Sequence, residues 1–225
     1  MNAIVWTKYG PPDVLQLKEV EKPVPKDNKV LIKIHATTVN RTDCATIRAI
    51  PFIARFFTGL FKPKKQIPGT EFAGKIEEIG KNVKSLKVGD KVFGFDDQGS
   101  GSHAQYMTIS EKKAVTIPKN ITYEQAAAST EGAHYAYNFI KKINIKSGQK
   151  VLVNGAAGNI GTFAVQVAKS FGAEVTGVDS TRKLDMLRSI GADQVIDYTQ
   201  EDFTKSGENY DIILTRWARV RFHVV

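Results

Sequence analysis

The sequence predicts an α/β protein in which a β-rich first half is followed by a doubly wound parallel sheet. Short segments rich in β-branched residues, separated by glycine and proline turns, fill residues 1–120. After Pro118, strands alternate with helices of about ten residues. A glycine-rich turn joins the first of these later strands to its helix. The length of 225 residues, with 42% apolar and 24% charged residues, is typical of one large globular domain or two modest ones.

The candidate strands of the first half are short and are separated by turn formers. Gly10-Pro11-Pro12 and residues 99–102 are two such turns, and this pattern is typical of a small barrel or sandwich. The predicted strands cover residues 3–9, 14–20, 30–39, 72–79, 90–95, 104–109 and 114–117.

Beyond Pro118 the hydrophobic pattern changes. Residues 123–128 and 135–142 predict two helices, the second with Lys141 and Lys142 in a last turn that favours cations. The strands that follow are predicted over residues 150–154, 174–178, 194–198 and 210–214, with helices over 160–171 and 184–190. Such alternation builds parallel, right-handed βαβ units.

Residues 48–65 stand apart because apolar and basic side chains are mixed there. The apolar positions fit one face of a helix, and Arg48, Arg55, Lys62, Lys64 and Lys65 flank them. A basic amphipathic stretch can bind membranes or acidic partners. The alternative, a helix that packs over a cleft or core, is favoured at this point.

Composition excludes several classes of protein. The single cysteine, Cys44, excludes an internal disulfide framework and predicts a reducing, cytoplasmic location. No run approaches the roughly 20 apolar residues of a membrane span. The net charge is +9, but Arg216, Arg219 and Arg221 supply three of those charges and no nucleic-acid motif accompanies them. We therefore expect neither a nucleic-acid partner nor a membrane partner.

The glycine-rich turn carries the strongest functional signal. It follows a predicted strand and opens a helix, and a second strand ends at Asp179, as a dinucleotide-binding fingerprint requires. Glycines allow a tight turn close to a pyrophosphate, and the helix N-terminus offers N–H groups to the phosphates. The predicted cofactor-binding residues of the turn are Gly155, Ala157, Gly158, Asn159, Ile160 and Gly161.

The residues after the second strand decide which cofactor is bound. If Asp179 accepts hydrogen bonds from the adenosine ribose, it favours NAD and repels a 2′-phosphate. Ser180, Arg182 and Lys183 favour NADP, because a hydroxyl and two cations can hold that phosphate. Tyr198, which ends the third strand, is positioned to stack on adenine or to contact the same phosphate. The balance favours NADP and leaves NAD open.

Six short blocks, in a fixed order, carry a family resemblance. They are Val39-Asn40-Arg41-Thr42-Asp43, Pro68-Gly69-Thr70-Glu71-Phe72-Ala73-Gly74, Val88-Gly89-Asp90-Lys91-Val92, Glu124-Gln125-Ala126-Ala127-Ala128, the glycine turn, and Gly191-Ala192-Asp193 with Val195-Ile196-Asp197-Tyr198. Across residues 1–214 the chain resembles the medium-chain dehydrogenase/reductase superfamily, specifically its zinc-free quinone oxidoreductase branch. The resemblance implies a GroES-like catalytic domain over 1–120, a partial Rossmann domain over 121–214, and an active site in the cleft between them.

The same resemblance implies a chemistry and a catalytic candidate. Members of this branch transfer a hydride directly from NADPH to a quinone or an activated enone. Asn40 is expected near the nicotinamide carboxamide as the catalytic candidate, with an amide that caps the following turn as the alternative. His103 and Tyr106 are weaker candidates for proton donation to the product.

Zinc is not expected. Zinc-dependent relatives place a cysteine where this chain has Asn40 and a histidine where it has Thr70. The four histidines, at positions 35, 103, 134 and 223, have no ligand spacing.

The resemblance ends at Leu214, and residues 215–225 form a basic tail unlike the family. With one nucleotide restored before it, a back-translated tail can encode a family-like continuation, because Trp217 followed by Ala218 forces a glycine codon in that frame. We therefore expect a frameshift and an incomplete Rossmann sheet, with a genuine short paralogue that carries a basic tail as the alternative. The alternative to an active reductase is a truncated dinucleotide-binding protein with impaired catalysis. The oligomeric state stays open, with a homo-oligomer as one outcome.

Overall fold

The computed structural model describes residues 1–96 and 101–215, and for residues 54 and 57 the backbone alone. The chain divides into two compact units, Met1–Thr130 and a second unit that begins at Glu131. The sequence places the domain boundary at residues 120/121, ahead of this division. The basic tail expected to be out of frame lies outside the described residues, apart from Thr215.

Antiparallel strands dominate the first unit, as the turn-rich sequence predicts. A two-stranded ribbon pairs β1 with β2, and a five-stranded sheet has the order β6-β3-β4-β5-β7. The strand bounds are β1 Asn2–Val5, β2 Gln16–Glu19, β3 Lys29–Thr37, β4 Glu71–Ile79, β5 Lys91–Phe95, β6 Tyr106–Ser110 and β7 Val115–Thr116.

The central strands of this sheet are buried on both faces. In β3, Val30, Leu31 and Ile32 are consecutive and fully buried. On one face, Val30 and Ile32 pack with Phe72 and Ile76 of β4. On the other face, Ala73 packs with two alanines near the start of a long helix, Ala126 and Ala127. The sheet is therefore a core layer, and the start of β4 is deeply enclosed.

Two short helices lie between β3 and β4. Helix α1 spans Arg41–Arg48 and ends where Ala49 adopts the left-handed conformation, with φ of 51°. A 3-10 turn over Phe52–Ala54 and the four-residue α2, Arg55–Thr58, follow. The continuous helical face predicted over residues 48–65 is wrong, because the helical run is interrupted before Pro51, which cannot donate a backbone hydrogen bond.

Helix α3 spans Tyr123–Ile143 as one element, where the sequence predicts two. The predicted break contains Gly132, which is a weak helix former. A β-carbon on Gly132 would lie 2.8 Å from both the side-chain Cγ of Asn159 and the ring of Phe163. The close packing at this position leaves no room for a side chain, so glycine is needed here. The helix continues through Gly132 despite its weak helix propensity.

The second unit contains a four-stranded parallel sheet with the order β10-β9-β8-β11. The strands are β8 Lys150–Asn154, β9 Glu174–Asp179, β10 Gln194–Asp197 and β11 Ile212–Thr215, and the helices are α4 Asn159–Ser170 and α5 Leu184–Ser189. After β10 the chain crosses to the far side of β8 and adds β11 there. This reversal creates a topological switch point at the carboxyl ends of β8 and β11, where open α/β sheets bind ligands.

The mixed α/β fold, with antiparallel sheets in the first unit and a parallel sheet in the second, is confirmed. In residues 1–96 and 101–215, no helix combines the length and the apolar content needed to cross a membrane.

Candidate functional site

The glycine-rich turn leaves β8 at the switch point and leads directly into α4. Gly155 has a φ of 76°, a conformation that strongly favours glycine. The backbone N–H groups of Gly155 and Ala156 both donate to the Val178 carbonyl, at 3.0 and 3.1 Å. Gly158 is the N-cap of α4 and, being glycine, has no side chain that could cap the first N–H groups of the helix. The turn therefore presents the N-terminus of α4 at the carboxyl edge of the sheet, where phosphate groups bind in such folds.

Gly161 allows α4 to pack closely on this turn. A β-carbon at this position would collide with the Gly155 carbonyl oxygen and would lie 2.7 Å from that of Ala156. These are backbone atoms, which cannot move aside without opening the turn. The third glycine of the motif thus has a packing role, in addition to the tight turn that the sequence predicts for these glycines.

Asp179 ends β9 and binds the glycine turn through its carboxylate. One oxygen, Oδ2, accepts from the backbone N–H of Ala157 at 3.0 Å, and Oδ1 accepts from that of Ser180 at 2.8 Å. The Lys183 ammonium lies 3.5 Å from Oδ1. Asp179 is only 5% exposed. Its principal contacts are therefore with the protein itself, a role that was not predicted from the sequence.

The remaining predicted cofactor residues meet at the same sheet edge. The backbone N–H of Tyr198 donates to the Asp179 carbonyl at 3.3 Å, which brings the end of β10 beside the start of the loop after β9. Arg182, Lys183 and Tyr198 are exposed and Ser180 is half-buried. A hydroxyl, two cations and an aromatic ring thus lie at one exposed edge.

Sequence reasoning missed a supporting acid in this region. Asp197 accepts hydrogen bonds from the Thr181 and Thr199 hydroxyls, the latter at 2.7 Å, and these bonds lower the pKa of its carboxyl. These two hydrogen bonds link the loop after β9, which contains Thr181, to the loop after β10, which contains Thr199. A hydroxyl-bearing residue on each loop was the available signal, but only the sheet order makes the two loops neighbours.

Asn40, the predicted catalytic residue, makes hydrogen bonds through both the oxygen and the nitrogen of its side-chain amide. Its Oδ1 accepts from the Asp43 N–H at 3.0 Å, and the Asp43 carboxylate accepts from the Asn40 N–H at 3.0 Å. This reciprocal pair is a capping box at the start of α1. The Nδ2 group donates to Thr70 and to Glu71, both at 3.0 Å. Asn40 therefore caps the turn, and its amide is also fixed by β4.

A buried polar cluster surrounds Asn40 in the first unit. Glu71 is only 1% exposed, and its carboxylate accepts from Thr38, Asn40 and Thr130, the last at 2.7 Å. We call this set the Glu71 cluster. Its members are Thr38, Asn40, Asp43, Thr70, Glu71, His103 and Thr130. Glu71, Thr38 and Thr130 were missed as functional candidates. The available signal was an acidic residue within the apolar start of a central strand, which requires buried donors.

His103 is held in the cluster by contacts with Thr38 and Asp43. Its ring Nε2 donates to the Thr38 carbonyl at 2.8 Å and lies 4.0 Å from the Asp43 carboxylate. Burial raises the pKa of the Asp43 carboxyl, against the opposing effects of the Asn40 N–H and the His103 ring. The other weak candidate, Tyr106, is in β6 beneath the Lys22 ammonium, 4.2 Å from its ring centroid. Of the two, the structure brings only His103 to the Glu71 cluster.

Comparison with known proteins shows which family the chain resembles in sequence and in fold. Residues 26–119 match the alcohol dehydrogenase GroES-like domain, and residues 159–214 match the family described as zinc-binding dehydrogenase. The chain is 37% identical to the 2-methylene-furan-3-one reductase of Solanum lycopersicum, over 95% of this chain and 56% of that protein. It is 30% identical to the quinone oxidoreductase of Homo sapiens, over 98% of this chain and 67% of that protein.

Two solved structures are similar in fold as well. The quinone oxidoreductase from Coxiella burnetii has a TM-score of 0.85 and 30% identity, with 95% of this chain and 67% of that chain covered. The Escherichia coli quinone oxidoreductase complexed with NADPH has a TM-score of 0.77 and 31% identity, with 91% and 60% covered. The chain spans about 56% of the length of the tomato reductase and about 67% of the length of the human quinone oxidoreductase.

These matches define the class of protein. The chain belongs to the medium-chain dehydrogenase/reductase superfamily, with a GroES-like domain followed by a Rossmann-type domain. Within that superfamily it belongs to the quinone oxidoreductase branch.

One family description includes zinc, but the residues present do not fit a catalytic zinc ion. The two positions that the resemblance assigns to zinc ligands hold the Asn40 amide and the Thr70 hydroxyl, which hydrogen-bond to each other. Zinc prefers thiolate, imidazole and carboxylate ligands. In the part of the chain that the structure describes, no three Cys, His, Asp or Glu side chains converge. We therefore derive no step through a metal ion.

The packing of α4 on the glycine turn yields a first prediction. We expect Gly161→Ala to lower the free energy of unfolding by about 2 kcal/mol or more, because the new methyl group overpacks two carbonyl oxygens. Gly158→Ala is the matched control, since its β-carbon would meet only the Gly155 carbonyl, at 3.3 Å. Urea denaturation of the two variants provides the measurement. Equal losses in both would contradict the assigned role of Gly161.

Proposed function

We propose that the protein binds NADPH and reduces a quinone or an activated enone by zinc-free hydride transfer. The observation that carries the proposal is the exposed edge after β9 and β10, where Ser180, Arg182, Lys183 and Tyr198 lie together beside the glycine turn. The names of relatives support it, including the NADPH-dependent alkenal/one oxidoreductase of Arabidopsis thaliana, which is 34% identical.

The position of Asp179 supports NADP over NAD. An acid that selects NAD must offer its carboxylate to the ribose hydroxyls. Here both carboxylate oxygens accept backbone hydrogen bonds, and the Lys183 ammonium partly offsets the negative charge. Arg182 and Lys183 are then the dominant charges for an incoming 2′-phosphate.

The Glu71 cluster supports a positioning role around Asn40. When bound, the nicotinamide ring supplies the hydride, and the protein contributes orientation and exclusion of water. The Glu71 carboxylate holds the Asn40 Nδ2 group, and the capping box holds Oδ1. An amide fixed at both ends is pre-organised, so its orientation costs little entropy when a partner binds. We assign Asn40 the contact with the nicotinamide carboxamide on this basis and on the family resemblance.

The substrate is proposed as a small molecule with a carbonyl conjugated to a double bond. The relatives are named for quinones, alkenals and 2-methylene-furan-3-one, compounds that share that group. A cytoplasmic location and the oligomeric state remain predictions.

Cofactor selection is tested by equilibrium titration. We expect the wild type to bind NADPH at least about tenfold more tightly than NADH, since charge-assisted hydrogen bonds to the phosphate form only with NADPH. Arg182→Gln combined with Lys183→Gln should weaken NADPH binding by about 10- to 100-fold and leave NADH binding unchanged. Lys146→Gln, an exposed lysine of the same unit, is the control. If the double variant weakened both cofactors equally, the two cations would not be the phosphate site.

The role of Asn40 is tested by Asn40→Ser. Serine is also a good N-cap, but it removes the Nδ2 donor of the buried Glu71 carboxylate, so the free energy of unfolding should fall by about 1–3 kcal/mol. Loss of the side-chain amide that is proposed to contact the nicotinamide carboxamide should lower the turnover of NADPH with a quinone or an enone by about tenfold or more. Unchanged turnover would show that Asn40 only caps α1 and takes no part in the reaction.

The same assay on the wild type tests the non-catalytic alternative. Binding of NADPH without turnover would favour that alternative.

A further inference from the structure

The segment between α1 and β4 exposes an unusual set of apolar side chains. Over residues 50–61, the side chains of Ile50, Phe52, Ile53, Phe56, Leu60 and Phe61 are exposed. Phe56 is 64% exposed and Phe61 is 89% exposed. The favoured expectation was that this face packs over a cleft or core, but the apolar side chains named above are exposed. We call residues 48–65 the basic apolar segment.

All the charged side chains of this segment are positive. Residues 44–70 contain Arg48, Arg55, Lys62, Lys64 and Lys65 and no aspartate or glutamate. Arg48, Lys62 and Lys64 are exposed close to the apolar side chains. A surface that combines exposed phenylalanine and leucine with lysine and arginine is typical of interfacial membrane anchors. Long lysine side chains can keep their ammonium groups in the headgroup layer while phenylalanine rings enter the acyl boundary.

The backbone of the segment is anchored from its inner side. The Tyr9 hydroxyl donates to the Gly59 carbonyl at 2.7 Å and contacts the Thr58 hydroxyl at 2.8 Å. The Arg55 guanidinium lies over the rings of Tyr9 and Phe52, at 4.8 and 5.0 Å from their centroids. The exposed side chains therefore extend from a segment that is held to the β1 region rather than from an unsupported loop.

We propose that the basic apolar segment docks the protein peripherally on an anionic lipid bilayer. Charge complementarity selects this occupant. A second copy would bring two sets of five cations against each other, with no acid in either segment to offset them. Protein partners are a weaker fit, because protein interfaces are depleted in lysine. At 12 residues, the apolar part is shorter than the roughly 20 residues of a span, so the contact lies at the surface. The proposal replaces the earlier expectation of no membrane partner and does not depend on the redox activity.

The test is co-sedimentation of the full chain with lipid vesicles. We expect binding to phosphatidylcholine vesicles that contain about 30 mol % phosphatidylserine, and weaker binding to pure phosphatidylcholine. Raising the salt from about 0.1 M to about 0.5 M should reduce binding, because the electrostatic part is screened. Equal binding to both vesicle types, or no binding to either, would overturn the proposal.

Two pairs of variants locate the contact. Phe56→Ser with Phe61→Ser, and separately Lys62→Gln with Lys64→Gln, should each lower the partition coefficient by about tenfold or more. The matched controls are Leu17→Ser with Val88→Ser, which are exposed apolar positions elsewhere, and Lys26→Gln with Lys84→Gln. The controls should bind within about threefold of the wild type. Equal losses in the test and control variants would show that this segment is not the docking surface.

Sedimentation without lipid decides between a bilayer and a second copy. Self-association that Phe56→Ser with Phe61→Ser abolishes would assign this surface to a second copy and overturn the proposal. Hydrogen exchange supplies a second measurement, since vesicles should protect the amides of residues 50–61 and leave those of β2 unchanged. Circular dichroism of each variant confirms that the fold is retained.

Discussion

The interaction on which the second unit depends is the hydrogen bond between the Asp179 carboxylate and the Ala157 backbone N–H. Together with the two bonds from the turn to the Val178 carbonyl, it ties the glycine turn to the end of β9. The glycine turn then determines where α4 begins and where its N-terminus points. A buried carboxylate that is surrounded by donors is stable, whereas one without them is costly. The acid at this position is therefore required by the turn, independently of any cofactor.

The first unit uses a second buried carboxylate in a comparable way. Glu71 begins a central strand and collects hydrogen bonds from three side chains that are distant in sequence. One of them, Asn40, caps α1 with its other side-chain atom. The strand, the helix start and the α3 residue Thr130 are thereby joined at one point. In both units, a buried acid that accepts hydrogen bonds from the protein joins several elements of the fold.

Local patterns predicted the parts of the fold that depend on neighbouring residues. The glycine turn and the alternation of strands and helices were predicted because their signals lie within short stretches of chain. The Glu71 cluster was not predicted, since Thr38, Glu71 and Thr130 meet only after the sheet forms. The break predicted within α3 was wrong because the propensity of Gly132 was outweighed by its packing against Asn159. The exposure of Phe56 and Phe61 could not be predicted either, because periodicity does not distinguish a buried apolar face from an exposed one.

The central claim is that Asp179 holds the turn, while the cations of the following loop recognise the cofactor phosphate. The most direct measurement is the ratio of the NADPH and NADH dissociation constants in Asp179→Asn. The amide leaves one of the two backbone N–H donors without an acceptor, so both cofactors should bind more weakly, with their ratio unchanged within about threefold. If Asp179 instead selected the cofactor by contact with the ribose, the variant would bind NADPH more tightly and NADH more weakly. That result would contradict the account.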